Sequence, residues 1–376
     1  MNRIILSVTN DLVTDQRVNK VALTLAKIGY DVTIVGRKLK NSLDINNRSY
    51  KTKRFKLLFN KKWMFYAEYN LRLFFYLLFK KFDILVSNDL DSLLSNYCIS
   101  VIRNKKLVYD SHEYFTEVPE LINRNFQKKI WLSIERFILP KIKYSYTVCK
   151  SIANDYYKKY GVKMEVIRNV PLRKTATNSS EKISTLKKEL CIEDKKIIIY
   201  QGSLNIGRGI EQVINAMKFI DNTIFLIIGD GDIAKKLVHL TKQKGLEKKI
   251  IFLGKIPFDK LNDYTGLADI GISLEQNLGL NYYYSLPNKI FDYINAGVPI
   301  LASDLPEIAN IVKKYEIGEI IKDFSPDIIA DAINSMLNDE HKISEWEKKL
   351  KYAAEELCWE KEEIKLIDFY NKIKIN

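Results

Sequence analysis

Two stretches of this chain combine cations and acids at a spacing that suits phosphate chemistry. In the first, IIIYQGSLNIGRGIEQVINAM, an apolar run (Ile197 to Tyr200) passes through a loop holding three glycines into a helical pattern. Such a turn lets the backbone close on a phosphate, and the helix start offers free N–H groups and the positive end of its dipole. Arg208 adds a full charge at that turn; as a bare pattern the segment is also an ordinary strand-to-helix connection. In the second, NYYYSLPNKIFDYINAGVPILASDLPEI, Lys289 stands at a helix start within reach of an anion. Asp292 lies one turn in, either as an acceptor for a diol such as ribose or as a solvated helix carboxylate.

Other patterns carry less. Gly229 to Ala234 (GDGDIA) formally fits the dinucleotide-binding GxGxxA, yet it does not open the first strand-helix unit, and Asp230 and Asp232 would repel a pyrophosphate. The four cysteines (Cys98, Cys149, Cys191, Cys358) and three histidines (His112, His239, His341) do not cluster. No zinc site or disulfide framework is expected from them.

The elements that must position these residues recur along the chain. Ile4 to Val8, a helix from about Gln16 to Ile28, Gly29, and Asp31 to Val35 make one strand-helix-strand unit, the building block of a parallel sheet with both faces covered. Apolar runs at Ile84 to Val86, Leu107 to Tyr109 and Tyr146 to Val148 continue the pattern. Runs at Ile197 to Tyr200, Ile224 to Ile228, Ile250 to Leu253, Ile270 to Leu274 and Pro299 to Ala302 repeat it. Over 376 residues this predicts an α/β chain of two Rossmann-like, doubly wound parallel-sheet domains facing across a cleft. The expected boundaries are 1–175 for the first domain, 176–194 for a linker and 195–357 for the second. Ligands of such sheets bind at the carboxyl ends of the strands.

Composition is that of a folded protein, 47% hydrophobic and 28% charged, but the net charge is +14, a bias toward anionic partners. Residues 1–180 carry 33 Lys and Arg against 15 Asp and Glu, a balance of +18, and the remainder 27 against 31, or −4. Between Lys51 and Lys81, nine basic residues, among them Arg54, Lys61, Lys62 and Arg72, stand against the single acid Glu68 and interleave with Phe, Tyr and Trp63. That mixture on an amphipathic helix suits an anionic leaflet; aromatics in the core with a solvated lysine face is the other reading. No nucleic-acid motif accompanies the charge. The longest apolar stretch, Trp63 to Phe79, has 17 residues including Glu68, Asn70 and Arg72, short of the roughly 20 that span a bilayer. MNRIILSVTN has too short an apolar run for a secretory leader, so a cytoplasmic chain, peripheral at the inner face of the cell membrane, is expected.

Taken jointly, the QGSLNIGRG and NKIFDYINAGVP segments, IIGDGD (Ile227 to Asp232), FLGKIP (Phe252 to Pro257), the LADIGIS strand and YDSHE (Tyr109 to Glu113) resemble glycosyltransferase family 4 over nearly the whole chain. The resemblance implies the GT-B arrangement, with a last helix (about Trp359 to Lys374, within 358–376) returning to the first domain. It implies retaining transfer of a sugar from a nucleoside diphosphate sugar to an acceptor hydroxyl, with no metal or other cofactor. Arg208 and Lys289 then form the clamp on the donor diphosphate. Asp292 stands as the second acid of the family's Glu-x7-Glu pair, at the ribose, and His112 as the first-domain histidine facing the donor sugar. Gly202, Ser203, Gly229, Lys255 and Tyr284 complete the expected donor side. Asp89-Leu90-Asp91 copies the metal-binding DxD of a different glycosyltransferase fold, which this arrangement does not use.

Two positions depart from the family pattern. Ser203 stands where an arginine usually follows the first loop glycine, with Arg208 in place of the usual lysine, and Tyr284 falls where the pair has its first acid. Glu275 is near in sequence, with nothing there to show that it substitutes. The basic, aromatic first domain and the Lys-, Ile-, Asn- and Tyr-rich composition point to a lipid-linked glycan of a bacterial surface polymer, capsule or lipopolysaccharide, as acceptor. A sugar-nucleotide epimerase of the same architecture and a non-catalytic nucleotide-sugar-binding protein are the competing readings.

Overall fold

The computed structural model describes residues 2–13, 15–45, 48–118, 121, 124–173 and 180–373. The chain divides into two compact units: one runs to Asn169 and takes back Gly279–Asn281 and the chain from Glu362 on, and the other holds Val170–Leu278 and Tyr282–Lys361. Residues 174–179, around the expected linker, and Lys374 of the expected last helix lie outside the described residues.

In the first unit, strands β1 (Arg3–Asp11), β2 (Asp31–Arg37), β3 (Lys51–Phe55), β4 (Ile84–Asn88), β5 (Lys106–Ser111), β6 (Tyr144–Thr147) and β7 (Glu165–Val166) form one sheet in the order β3-β2-β1-β4-β5-β6-β7. Every pair is parallel. Helices α1 (Gln16–Lys27), α2 (Lys62–Phe79), α3 (Leu93–Ile102), α4 (Asn125–Ile138) and α5 (Lys150–Tyr160) connect the strands. Asp15 starts α1 by accepting a hydrogen bond from the Val18 amide at 3.1 Å, an N-cap that satisfies one orphan donor. Inner strand β4 is buried along its length, and its first three residues, Ile84 to Val86, read as an apolar run before the buried polar Ser87 and Asn88. The basic stretch from Lys51 divides between two elements: KTKRF is the edge strand β3, largely exposed, and α2 buries only the stripe Phe65, Tyr69, Leu73 and Leu77.

The second unit repeats the plan with β8 (Lys196–Gln201), β9 (Thr223–Ile228), β10 (Ile250–Gly254), β11 (Ile270–Ser273), β12 (Ile300–Ser303) and β13 (Gly318–Ile321), all parallel in the order β10-β9-β8-β11-β12-β13. Its helices are α6 (Ser180–Glu189), α7 (Ile210–Ala216), α8 (Ala234–Gln243), α9 (Phe258–Thr265), α11 (Asn288–Ala296), α12 (Pro306–Tyr315), α13 (Pro326–Asn338) and α14 (Glu340–Glu356), and the division between the units falls within the short α10 (Leu280–Tyr283). The chain closes with α15 (Trp359–Asn371). From Glu362 on, this helix packs into the first unit. The Arg168 amide donates to Glu362 at 2.9 Å, Thr24 Oγ1 donates to Glu363 at 3.0 Å, and the Phe369 ring meets Tyr146 edge-on at 5.1 Å.

In each sheet the strand order reverses beside the first strand, between β1 and β4 and between β8 and β11. Such switch points open a crevice beyond the carboxyl ends of the strands, where doubly wound folds bind ligands. Gly229, just after β9, holds φ +134°, and a Cβ added there would collide with the carbonyl oxygen of Gly202 after β8. Gly229→Ala should therefore cost at least the ~1–3 kcal/mol of a strained residue, read as a lower melting temperature; an unchanged one would refute this close packing of the two loops.

Candidate functional site

At the β8/β11 switch point the second unit gathers a compact ionic group. Strand β8 ends in Tyr200 and Gln201, and the glycine loop that follows carries Arg208 immediately before Gly209, the N-cap of α7. Strand β11 ends at Ser273, and two residues on stands Glu275, fully buried. Helix α11 brings Lys289 in its first turn. Lys289 Nζ donates to Glu275 Oε1 at 2.7 Å, Ser273 Oγ donates to Glu275 Oε2 at 2.6 Å, and Arg208 Nη1 lies 3.8 Å from Glu275 Oε1. Each cation also sits over an aromatic ring, Lys289 over Tyr200 at 3.9 Å and Arg208 over Tyr282 at 4.6 Å.

Burial pushes Lys289 down, and although Glu275 opposes the shift its pKa falls to about 8. Burial pushes Glu275 up, but the fields of Lys289 and Arg208 outweigh it and hold the carboxyl below its usual range. Two cations thus face one ionised acid. If this group binds an anion, affinity should hold to about pH 8 and fall above it as Lys289 loses its proton, and Lys289→Arg should extend the plateau. A flat profile for the wild type from pH 7 to 10 would contradict the role.

Apart from His112, the other residues expected at the donor lie in the same unit. Asp292, one turn beyond Lys289, accepts from Gln201 Nε2 at 2.9 Å, while Gln201 Oε1 accepts from Thr265 at 2.7 Å. The Ser203 carbonyl accepts from the Tyr200 hydroxyl at 2.8 Å, and the space above Gly202 opens toward the Lys289 side chain. Tyr284 is half-buried beside Tyr283. Lys255 is set apart from the cluster, exposed and paired with Asp230 at 3.4 Å. Glu275, Tyr200 and Tyr282 were missed as members of the group. The signal for Glu275 was an acid directly after the apolar run of β11; the two tyrosines had none, since their role is to lie under cations.

The β1/β4 switch point of the first unit holds a second polar cluster. Asp110, at the end of β5, is fully buried and takes a two-pronged contact from Arg17 of α1, with Nη2 at 2.7 Å and Nε at 3.2 Å. His112 Nε2 lies 3.0 Å from Asp110 and its Nδ1 3.4 Å from Asp89. Burial works against a charged imidazole, but Asp110 and Asp89 outweigh it and raise His112. Asp89, after β4, holds φ 59° and ψ 172°, a conformation that non-glycine residues adopt chiefly where the surroundings enforce it. Here the His112 amide donates to its carboxylate at 2.7 Å and its own amide donates to the Asp110 carbonyl at 2.8 Å. Asp91 turns the other way and accepts from Thr9 at 2.5 Å, so the two acids of the DLD stretch do not converge. Among the described residues no group of three or more His, Cys, Asp or Glu side chains is placed to hold a metal.

Of the residues expected at a membrane surface, Lys61, Lys62 and Trp63 are exposed together where α2 begins. Arg72 pairs with Glu68 on the same helix at 2.8 Å. Arg54 does not join them: it lies on β3, largely buried, 3.9 Å from Asp11 and 2.8 Å from the Leu43 carbonyl.

The family model described as Glycosyl transferases group 1 matches residues 182–357, and that described as Glycosyltransferase Family 4 matches residues 16–171. The chain is 26% identical over 239 residues to the chitobiosyldiphosphodolichol beta-mannosyltransferase of Candida albicans, covering 58% of this chain and 51% of that protein. It spans about half the length, or less, of the curated relatives it matches. Among solved structures, sucrose-phosphate synthase from Thermosynechococcus elongatus superposes with a TM-score of 0.82 at 17% identity, covering 99% of both chains. Anabaena HepE in complex with UDP gives 0.76 at 15% identity, over 99% of this chain and 100% of that one. With two doubly wound sheets of GT-B type and family matches along both, the chain belongs to glycosyltransferase family 4.

Proposed function

We propose that the protein transfers a sugar from a nucleoside diphosphate sugar to a hydroxyl of a lipid-linked glycan, retaining configuration at the anomeric carbon. The observation that carries the donor half is the convergence of Arg208 and Lys289 on one buried carboxylate. The surplus positive charge suits a diphosphate, on which negative charge grows as its bond to the sugar breaks, and preorganised electrostatics of this kind is usually the largest catalytic contribution. The UDP complex of HepE supports a nucleotide as the carrier. Asp292 is assigned to the ribose and His112 to the sugar.

In the reaction the bond between the anomeric carbon and the diphosphate oxygen breaks while the acceptor oxygen bonds to the same face. The acceptor proton passes to the departing phosphate oxygen, so no covalent nucleophile, metal or other cofactor is invoked.

For the acceptor half, the Candida albicans relative is named for a diphosphodolichol substrate, and the basic excess lies in the first 180 residues. On α2, Trp63, Leu71, Phe75 and Phe79 recur at multiples of four residues and are all exposed. This apolar stripe with Lys61 and Lys62 at its start suits the surface of an anionic leaflet. No described helix is long and apolar enough to cross a membrane. Peripheral attachment at the inner face of a bacterial membrane, in building capsule, lipopolysaccharide or a similar surface polymer, is the setting we infer.

The test is product analysis with UDP- and GDP-sugars, alone and with a lipid diphosphate glycan. A new glycolipid of retained configuration, formed only with acceptor, is expected. Conversion of the donor alone into a second sugar nucleotide would indicate an epimerase, and binding without turnover of any donor and acceptor pair a non-catalytic carrier.

A further inference from the structure

Within the first unit, the first half of α2 does not close against α4. A cavity of about 1120 Å³ lies between them, above the roughly 300–1,000 Å³ of ordinary small-ligand pockets. Its wall is aromatic: Trp131 of α4 meets Tyr66 of α2 edge-on at 5.2 Å and Phe115 at 5.1 Å. Trp63 and Phe126, which also line it, are 66% and 73% exposed, an apolar surface that a soluble ligand alone does not need. Glu113, the residue after His112, lines the same cavity, so it reaches the edge of the polar cluster.

Among the described residues that line this cavity, the charged side chains are Lys62, Arg124 and the acid Glu113. Lys62 and Arg124 line it, and neither side chain has an ion-pair partner among the described residues. Both helices also begin here, α2 with Lys61 and α4 with Arg124 at the N-cap; neither has a side-chain cap or an acid in its first turn. A cation at a helix N-terminus is opposed by the dipole, whereas an anion is favoured. The sequence has therefore placed four features that ask for an anion, two side-chain cations and two uncapped helix starts, beside an apolar hollow.

We propose that this cavity binds the phosphate-bearing end of an apolar chain, with the phosphate or diphosphate at Lys62 and Arg124 and the first segment of chain along Tyr66, Phe115 and Trp131. The inference rests on the lipid-linked acceptor of the proposed function and adds to it: the protein itself, in addition to the bilayer, holds the lipid next to its phosphate.

The test uses farnesyl diphosphate, inorganic diphosphate and farnesol as probes, titrated calorimetrically into the full chain. Farnesyl diphosphate should bind at least tenfold more tightly than either fragment. Ala67→Phe fills the cavity from an exposed position on α2 without changing a charge, and it should weaken farnesyl diphosphate at least tenfold. Lys62→Glu with Arg124→Glu should weaken it by a similar factor. Melting curves of each variant report that the fold is kept. Equal binding of inorganic diphosphate would mean an adventitious anion only and overturn the proposal, as would an undiminished affinity in Ala67→Phe. Nucleotide binding, titrated on the same wild-type preparation, reports the donor reading separately, so failure of one is not mistaken for failure of the other.

Discussion

Lys289→Ala is expected to lower turnover by about 10²–10³-fold, the usual loss when one preorganised donor to a developing anion is removed. The side chain earns that figure through its rigidity. It is only 7% exposed, pinned by Glu275 at 2.7 Å and lying on the Tyr200 ring, so little reorganisation is needed when charge builds on a leaving diphosphate. The same substitution should destabilise the fold by about 3–5 kcal/mol, because it leaves a buried carboxylate without its closest cation; Arg208 remains, at 3.8 Å. The two effects separate in the double variant Lys289→Met with Glu275→Gln. There the buried charge is gone with its partner, and stability should largely return while turnover stays low. Steady-state kinetics beside urea denaturation checks both; turnover near the wild-type level in Lys289→Ala would sink the assignment.

Arg17→Met should be the most destabilising single change in the first unit, again about 3–5 kcal/mol. Arg17 and Asp110 are 3% and 0% exposed and joined by a two-pronged contact, and Arg17 also donates to the Ile167 carbonyl at 3.0 Å. Burial raises Asp110, but Arg17 and His112 overcome it and hold the carboxyl at about 2. A carboxyl so depressed contributes stability that is complete above its unfolded value of about 3.9 and is lost as pH falls toward 2. The gap between wild type and Arg17→Met should therefore be widest at neutral pH and narrow in acid. Urea midpoints from pH 7 down to pH 3 measure it, and coincident midpoints at pH 7 would show that the pair does not hold the sheet.

What the sequence made legible follows from burial. Strands β1, β4, β8, β9, β11 and β12 are covered and spell apolar runs, so their positions could be read to within a few residues. Strands β3 and β13 lie at sheet edges; KTKRF has no apolar periodicity to read, because edge pairing needs only backbone. The ionic group was legible in part: Arg208 and Lys289, 81 residues apart in the chain, both come to Glu275 at the switch point. What joins them, Glu275, was not, because a buried acid looks the same in a sequence as a solvated one until its partners are placed. The Arg17, Asp110, His112 and Asp89 cluster was hidden for a similar reason. It is assembled from α1, β4 and β5, and only the parallel order β1-β4-β5 brings them together.

Whether the Arg208 and Lys289 group is a nucleoside diphosphate site is decided by a thermal-shift panel of UDP, GDP, ADP and their common sugars on the wild type and Lys289→Ala. A ligand that binds only the folded state raises its melting temperature with concentration. At least one nucleotide should do so for the wild type, and the shift should be lost in Lys289→Ala. No shift with any nucleotide, or an equal shift in the variant, would contradict that assignment.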